Sequence, residues 1–167
     1  MHYDLPSGTR VLIRHIEPAD KARLEAALRR LSEETIRRRF LAAKPRFTAS
    51  ELRYLTEVDG RRHVALVAVL ADDPETLVAV ARYVALPDAP DTAELAVVVG
   101  DPFQRQGLGG HMTELLADEA VERGIRHFAA TLLGDNRPAQ RLMRRFSRRL
   151  ESSGHGAWRD YVVDLVA

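Results

Sequence analysis

Apolar and polar positions alternate through Val11, Ile13 and His15 in "TRVLIRHI", the two-residue period of a strand with one buried face. The period then lengthens. Pro18 suits the first turn of a helix, and in "ADKARLEAALRRL" the apolar residues Ala22, Leu24, Ala27, Leu28 and Leu31 fall near helical spacing. Ser32 followed by Glu33 and Glu34 reads as a cap and acidic first turn for a second, short helix ending near Phe40. Thr48 and Glu51 stand at capping-box spacing and open a third helix in "ASELRYLTEV", closed by Asp59-Gly60. From there β-branched apolar runs take over. "HVALVAVL" and "LVAVARYVAL" flank the turn cluster "ADDPET" as a hairpin, and "AELAVVV" follows the loop "PDAPDT". A helix is predicted from Gly109 to Arg123, with Met112, Leu115, Leu116 and Ala120 as its apolar stripe and Gly124 as its stop. "HFAATLL" reads as a strand, Pro138 opens a helix, and "AWRDYVVDLV" is a last strand. The pattern, without repeats or low-complexity linkers, predicts one α/β domain over residues 1–167 built on a mixed sheet.

Composition narrows the function. At 167 residues with 46% hydrophobic and 29% charged residues, the chain is long and apolar enough for a sizeable core. A net charge of +1 supplies no field for nucleic acid, and no segment approaches membrane-spanning length, so the expectation is a cytoplasmic protein without nucleic-acid or membrane partners. The absence of cysteine excludes disulfides, thiolate metal sites and a cysteine nucleophile. The six histidines, at 2, 15, 63, 111, 127 and 155, show no ligand spacing with nearby carboxylates, so no metal is expected.

Candidate chemistry concentrates in "VVVGDPFQRQGLGGHM", an apolar strand, a break, and glycines at 107, 109 and 110 running into a helix. Glycine inside a helix costs about 1 kcal/mol against alanine. A compensating feature would be an anion resting on the bare N–H groups at the helix start. A nucleotide-hydrolase phosphate loop needs lysine and then serine or threonine after its last glycine, where His111 and Met112 stand. A dinucleotide fingerprint needs glycine at 112, which is methionine. "QRQGLG", with Gln104, Gly107 and Gly109, resembles instead the Q/R-x-x-G-x-G/A loop of the GNAT superfamily of acetyl-CoA-dependent N-acetyltransferases. The order of elements resembles that fold over nearly the whole chain. "GTRVLIRHIEPAD", "LSEETIRRRF" and "LRYLTEVDGRRHVALVAV" are similar to a narrower branch, the bacterial protein-lysine acetyltransferases that modify acyl-CoA synthetases, through their catalytic module alone.

The resemblance implies an α+β fold whose mostly antiparallel mixed sheet is flanked by helices, with a splayed strand pair at the acyl-CoA site. It puts the backbone of Val97, Val98 and Val99 along the acyl-pantetheine arm, one N–H polarising the thioester carbonyl. Arg105, Gln106, Gly107, Leu108, Gly109 and Gly110 would hold the pyrophosphate, and Asn136 the pantetheine arm. It puts a catalytic base at Glu94; a carboxylate buried and unpaired on this strand would be driven toward the working range of a base. The competing reading is a strand-end glutamate in solvent, paired with Arg82. Asn136 in "GDN" equally suits a turn and helix start. Many members carry a tyrosine seven residues after the asparagine as acid to the leaving thiolate; here that position is Met143, and Ser147-Arg148 replace the usual glycine-phenylalanine. A thiolate with a pKa of about 8.5 needs little such help. Arg141, Arg144, Arg145, Arg148 and Arg149 read as a solvated helix face, with the 3′-phosphate of coenzyme A or an acidic partner as the functional alternative. The sequence thus predicts an N-acetyltransferase using acetyl-CoA on a protein with an exposed lysine. A small amine as acceptor, or a non-catalytic acyl-CoA-binding sensor, are the alternatives.

Overall fold

The computed structural model describes residues 1–146 and 150–165, without the side chains of Leu150, Glu151 and His155. Ser147, Arg148 and Arg149 therefore lie outside the described residues. Among the described residues, eight strands form one sheet in the order β1-β2-β3-β4-β5-β6-β8-β7. In sequence these are β1 His2–Asp4, β2 Arg10–His15, β3 His63–Leu70, β4 Leu77–Ala85, β5 Thr92–Val99, β6 His127–Leu133, β7 Leu150–His155 and β8 Trp158–Asp164. All neighbours are antiparallel except β5 and β6. The helices are α1 Lys21–Arg30, α2 Glu33–Phe40, α3 Ala49–Thr56, α4 Leu108–Glu122 and α5 Arg137–Phe146.

Two expectations are corrected. The helix after the glycines begins one residue earlier and ends one earlier than its stripe indicated, at Leu108 and Glu122. Strands β1 and β7 had no counterpart in the pattern. "HYD" is too short for a period, and "LESSGH" is a polar strand on the sheet edge whose pairing with β8 supplies what its side chains do not.

The alternation along β4 and β5 splits the sheet into two faces. Ala81, Tyr83, Ala93 and Leu95 pack with Leu108, Met112, Leu116 and Ala120 of α4 and Met143 of α5 in the larger core. Each fully buried Leu or Met there contributes about 1.5–3 kcal/mol by leaving water. On the opposite face, Ala65, Val67 and Val80 pack with Leu24 of α1 and Leu52 of α3. This second core carries the polar positions of the central strands.

The parallel pair positions the site. β5 and β6 are in register only from Thr92 opposite His127 to Glu94 opposite Ala129. Beyond that, β5 continues to Val99 and β6 to Leu133 unpaired with each other, β5 bound to β4 and β6 to β8. The strands fork, and Glu94 is the last paired residue.

Candidate active site

In an antiparallel ladder, alternate residues send both backbone groups to the same neighbour. The Gly100 N–H donates to the Val78 carbonyl (2.8 Å) and the Leu86 N–H to the Thr92 carbonyl (2.8 Å), so the even-numbered residues of β5 face β4. The backbone groups of Val98 are thereby taken up, while those of Val97 and Val99 point into the fork. The Val99 carbonyl is occupied, because Gln104 Nε2 donates to it (2.9 Å) and to Thr35 Oγ1 (3.1 Å). What remains for a ligand in the fork is the N–H groups of Val97 and Val99 and the Val97 carbonyl. A strip of free donors and acceptors between two strands is a place for an extended amide-bearing chain.

The fork leads to the start of α4. Gly107, its N-cap, has φ +85°, and Arg105 two residues earlier has φ +59°. A left-handed conformation costs a side-chain-bearing residue such as Arg105 about 1–2 kcal/mol, and glycine almost nothing. α4 has no side-chain cap and no acidic residue in its first turn. By contrast, Ser32 Oγ accepts the Thr35 N–H on α2, and Thr48 and Glu51 form a reciprocal capping box on α3. The first N–H groups of α4 are therefore unclaimed and carry the positive end of the helix dipole. An anion such as a pyrophosphate fits here.

The three glycines divide their tasks. A β-carbon on Gly107 would be strained by its φ and would meet the Tyr3 hydroxyl at 3.3 Å. One on Gly109 would meet the Val99 and Val97 side chains at 3.4 and 3.5 Å, so this glycine sets how closely α4 lies on β5. One on Gly110 would meet Arg145 at 3.4 Å. Arg145, read in the sequence as part of a solvated face, thus stands beside the anion-receptive turn, ion-paired to Glu114 at 2.9 Å. Leu108 is buried in the core and offers only its backbone to a ligand. Gln106 acts as a strut: its Oε1 accepts the Ser7 N–H (3.2 Å) and its Nε2 donates to the Pro102 carbonyl (3.2 Å). His111, half-buried, stacks on Tyr3 with ring centroids 4.3 Å apart.

Glu94 lies on the other face of β5, with Ala96 and Val98. It is exposed, so the burial considered for it is not found. Nor does it pair with Arg82. The buried Arg82 donates to the Leu55 carbonyl and to His63 Nε2, both at 3.0 Å. Burial first, and the charge of Arg82 second, push the His63 imidazole down to about 4, so His63 is neutral and accepts that bond. Burial and then the neighbouring Arg39 lower the Arg82 guanidinium. Arg39 of α2, half-buried over the Phe40 ring at 4.9 Å, feels Glu94 as its countercharge without an ion pair among the described residues. The two other carboxylates near the end of α3 are engaged. Asp59 Oδ1 accepts the N–H groups of His63, Arg61 and Arg62 at 2.8–2.9 Å, which hold its carboxyl below the usual range, and Glu57 faces Lys21 at 3.8 Å.

Asn136 is buried after the end of β6, where its Oδ1 accepts the Ala139 N–H (3.3 Å) and so caps α5. Its carboxamide N–H groups have no acceptor among the described residues. Met143 is buried in the core and donates no proton. One connection escaped the sequence. Asp101 accepts hydrogen bonds from the Ser32 N–H (3.0 Å), Ser32 Oγ (2.6 Å) and Thr35 Oγ1 (2.8 Å), and with Gln104 it ties α2 to the strand and loop of the fork. The first half of this link was legible as the Ser32 cap; its partner 69 residues away was not. Among the described residues, no three His, Asp or Glu are grouped to hold a metal, and no helix is long and apolar enough to cross a membrane.

Comparison with known proteins agrees with this fold. Residues 24–147 match the acetyltransferase (GNAT) family. Acetyltransferase Pat of Mycolicibacterium smegmatis is 33% identical over 147 residues, 83% of this chain and 41% of its own length. This chain therefore spans less than half of that relative. Acetyltransferase PA5475 of Pseudomonas aeruginosa is 30% identical over 139 residues, 83% of this chain and 74% of its own. Among solved structures, the GNAT domain of S. lividans PAT superposes with a TM-score of 0.88 at 27% identity, covering 99% of this chain and 96% of that one.

Proposed function

Since the chain belongs to the acetyltransferase (GNAT) family and is an N-acetyltransferase, we propose that it acetylates lysine side chains of proteins, with Glu94 as the base. Enzymes of this family use acetyl-CoA, which supplies an acetyl thioester. The observation that carries the reading is the fork between β5 and β6, opening from Glu94 toward the uncapped start of α4. The backbone of Val97 and Val99 binds the pantetheine arm and directs an N–H at the thioester carbonyl, where fixed donors stabilise developing negative charge. Arg105, Gly107, Gly109 and Gly110 present their N–H groups to the pyrophosphate, with Leu108 contributing its backbone. Gln106 holds that loop in place, and Asn136 turns its free N–H groups to the pantetheine arm. Glu94 takes the proton from the acceptor ammonium, directly or through a water. The amine nitrogen then bonds to the carbonyl carbon and gives its second proton to water, the C–S bond breaks, and coenzyme A leaves as the thiolate. With Met143 in the acid's usual place, the thiolate departs unprotonated, which its ordinary acidity permits near neutral pH.

Two observations favour a protein over a small amine. Glu94 is open to solvent, as an acceptor presented on a protein surface requires. The charged neighbour it interacts with is Arg39, which disfavours polycationic acceptors such as polyamines and aminoglycosides. The resemblance to protein-lysine acetyltransferases points the same way, and an acyl-CoA synthetase is the proposed target. The test is incubation with acetyl-CoA and a panel of acyl-CoA synthetases, polyamines, amino acids and aminoglycosides, read by intact mass and free thiol. Mass gain of one acetyl group on a synthetase lysine is expected; acetylation confined to small amines would overturn the choice of acceptor.

A further inference from the structure

The second face of β5 holds more than a base. Next to Val98 lies a cavity of about 260 Å³. Its walls are Leu24 and Leu28 of α1, Leu31 just after it, Phe40 at the end of α2, Phe47 beyond it, and Val80 and Val98 of the sheet. Phe40 and Phe47 meet edge to face with centroids 5.8 Å apart and close one side. It is partly open to solvent, and its nearly all-apolar walls favour a hydrocarbon chain over water.

We propose that this cavity receives the tail of an acyl chain longer than acetyl, so that the enzyme accepts medium-chain acyl-CoA thioesters. The inference rests on the acyl-transfer reading above. A thioester carbonyl held by the Val97 or Val99 N–H can send its chain to either face of the sheet. The α4 face is closed, because Val97 and Val99 already lie at van der Waals distance from where a side chain on Gly109 would begin. On the other face stands Ala96, a small residue between Glu94 and Val98. Two residues of strand span about 7 Å. Glu94 thus lies one such step from Ala96 toward the paired end of β5 and β6, and the cavity beside Val98 lies one step the other way, toward the open end. The amine approaches past Glu94 while the chain runs past Ala96 into the cavity, so the two do not compete for space. An acetyl methyl ends before the cavity and leaves it unused. Transfer is otherwise unchanged: Glu94 takes one proton from the ammonium, the amine nitrogen bonds to the acyl carbon and gives its second proton to water, the C–S bond breaks and the thiolate leaves.

The experiment is titration of the whole chain with coenzyme A and with acetyl-, butyryl-, hexanoyl- and octanoyl-CoA, followed by calorimetry and by the melting temperature. Affinity is expected to rise with chain length, reaching at least tenfold over acetyl-CoA at hexanoyl. Ala27→Trp and the double variant Ala27→Phe with Leu31→Phe, at two partly exposed wall positions, each take up much of the cavity. Both should bind acetyl-CoA as the unmodified protein does and lose the gain from added carbons, with the melting temperature of each variant reporting that it folds. Affinity that is flat or falling with chain length in the unmodified protein overturns the proposal. So does a gain that survives in both filled variants, because the chain then lies elsewhere. Failure of every thioester and of coenzyme A to bind would instead refute the acyl-transfer reading, whereas tight binding of acetyl-CoA alone refutes only the acyl pocket.

Discussion

On one face of β5, Val97 and Val99 lie so close to Gly109 that a β-carbon would be in contact with both. On the other face, Glu94, Ala96 and Val98 border solvent, two arginines and a cavity. The closed face belongs to the helix whose bare N–H groups suit an anion, and its packing fixes where that helix starts relative to the fork. The open face is where a second substrate can arrive. A strand has only two faces, and in the proposed reaction one positions the start of α4 for the donor while the other leaves room for the acceptor. The difference comes from side-chain size at alternating positions, together with one glycine on α4.

The most demanding test of this division is Glu94→Gln, which keeps shape and hydrogen bonding but cannot take the proton. Turnover should fall by roughly 10²–10⁴-fold, the usual range for removing a general base. Acetyl-CoA affinity, measured by calorimetry, should stay near normal because it belongs to the other face. The rise of rate with pH should also vanish or move toward the pKa of the free amine. Full turnover with an unchanged pH profile would remove Glu94 from the mechanism. Asp59, held by three N–H groups, would be a poor replacement.

A smaller effect, on stability, tests how the open face is built. Unfolded His63 takes its proton near pH 6.5, whereas folded His63 takes it only near 4. Between those values the unfolded chain binds the extra proton, so stability falls as the pH drops. Above pH 6.5 both states are neutral there and the contribution disappears. The full loss is on the order of 3 kcal/mol. His63→Gln, which retains an acceptor for Arg82, should flatten that part of the urea-unfolding profile between pH 7 and 4. Identical acid profiles for the two proteins would mean that Arg82 and His63 do not share the buried bond described here.

Gly107→Val probes the closed face and is expected to have the least effect of the three. In the unmodified protein, acetyl-CoA at about 100 times its dissociation constant should add about 2.7 kcal/mol of stability. The variant should lose that increment, since valine resists φ +85° and crowds the turn. Melting curves with and without ligand separate this loss from any destabilisation of the free protein. A ligand-induced shift as large as in the parent would show that the glycine turn does not hold the anion.

Much of this arrangement was legible along the chain because its causes are local. Ser32, Thr48 and Glu51 announced α2 and α3, since a cap is made within one turn. The runs around Val67, Val80 and Val97 announced the central strands, and the spacing of Gln104, Gly107 and Gly109 marked the loop at its observed place. What the sequence alone determined were segments, their inward faces and the motif, each set by neighbours within a few residues. The rest depended on residues far apart. The fork exists because β6 turns from β5 to β8, a partner more than twenty residues farther along. Arg82 turns from Glu94 because Leu55 and His63 offer it acceptors in a buried place, where an unpaired guanidinium would be costly. The edge strand β7 has no apolar pattern and is held by its backbone bonds to β8. The cavity beside Val98 is a gap between two helices, a loop and the sheet, and no one segment encodes it. Local preference chose the pieces; long-range hydrogen bonding and close packing chose the spaces between them, and the proposed chemistry takes place in those spaces.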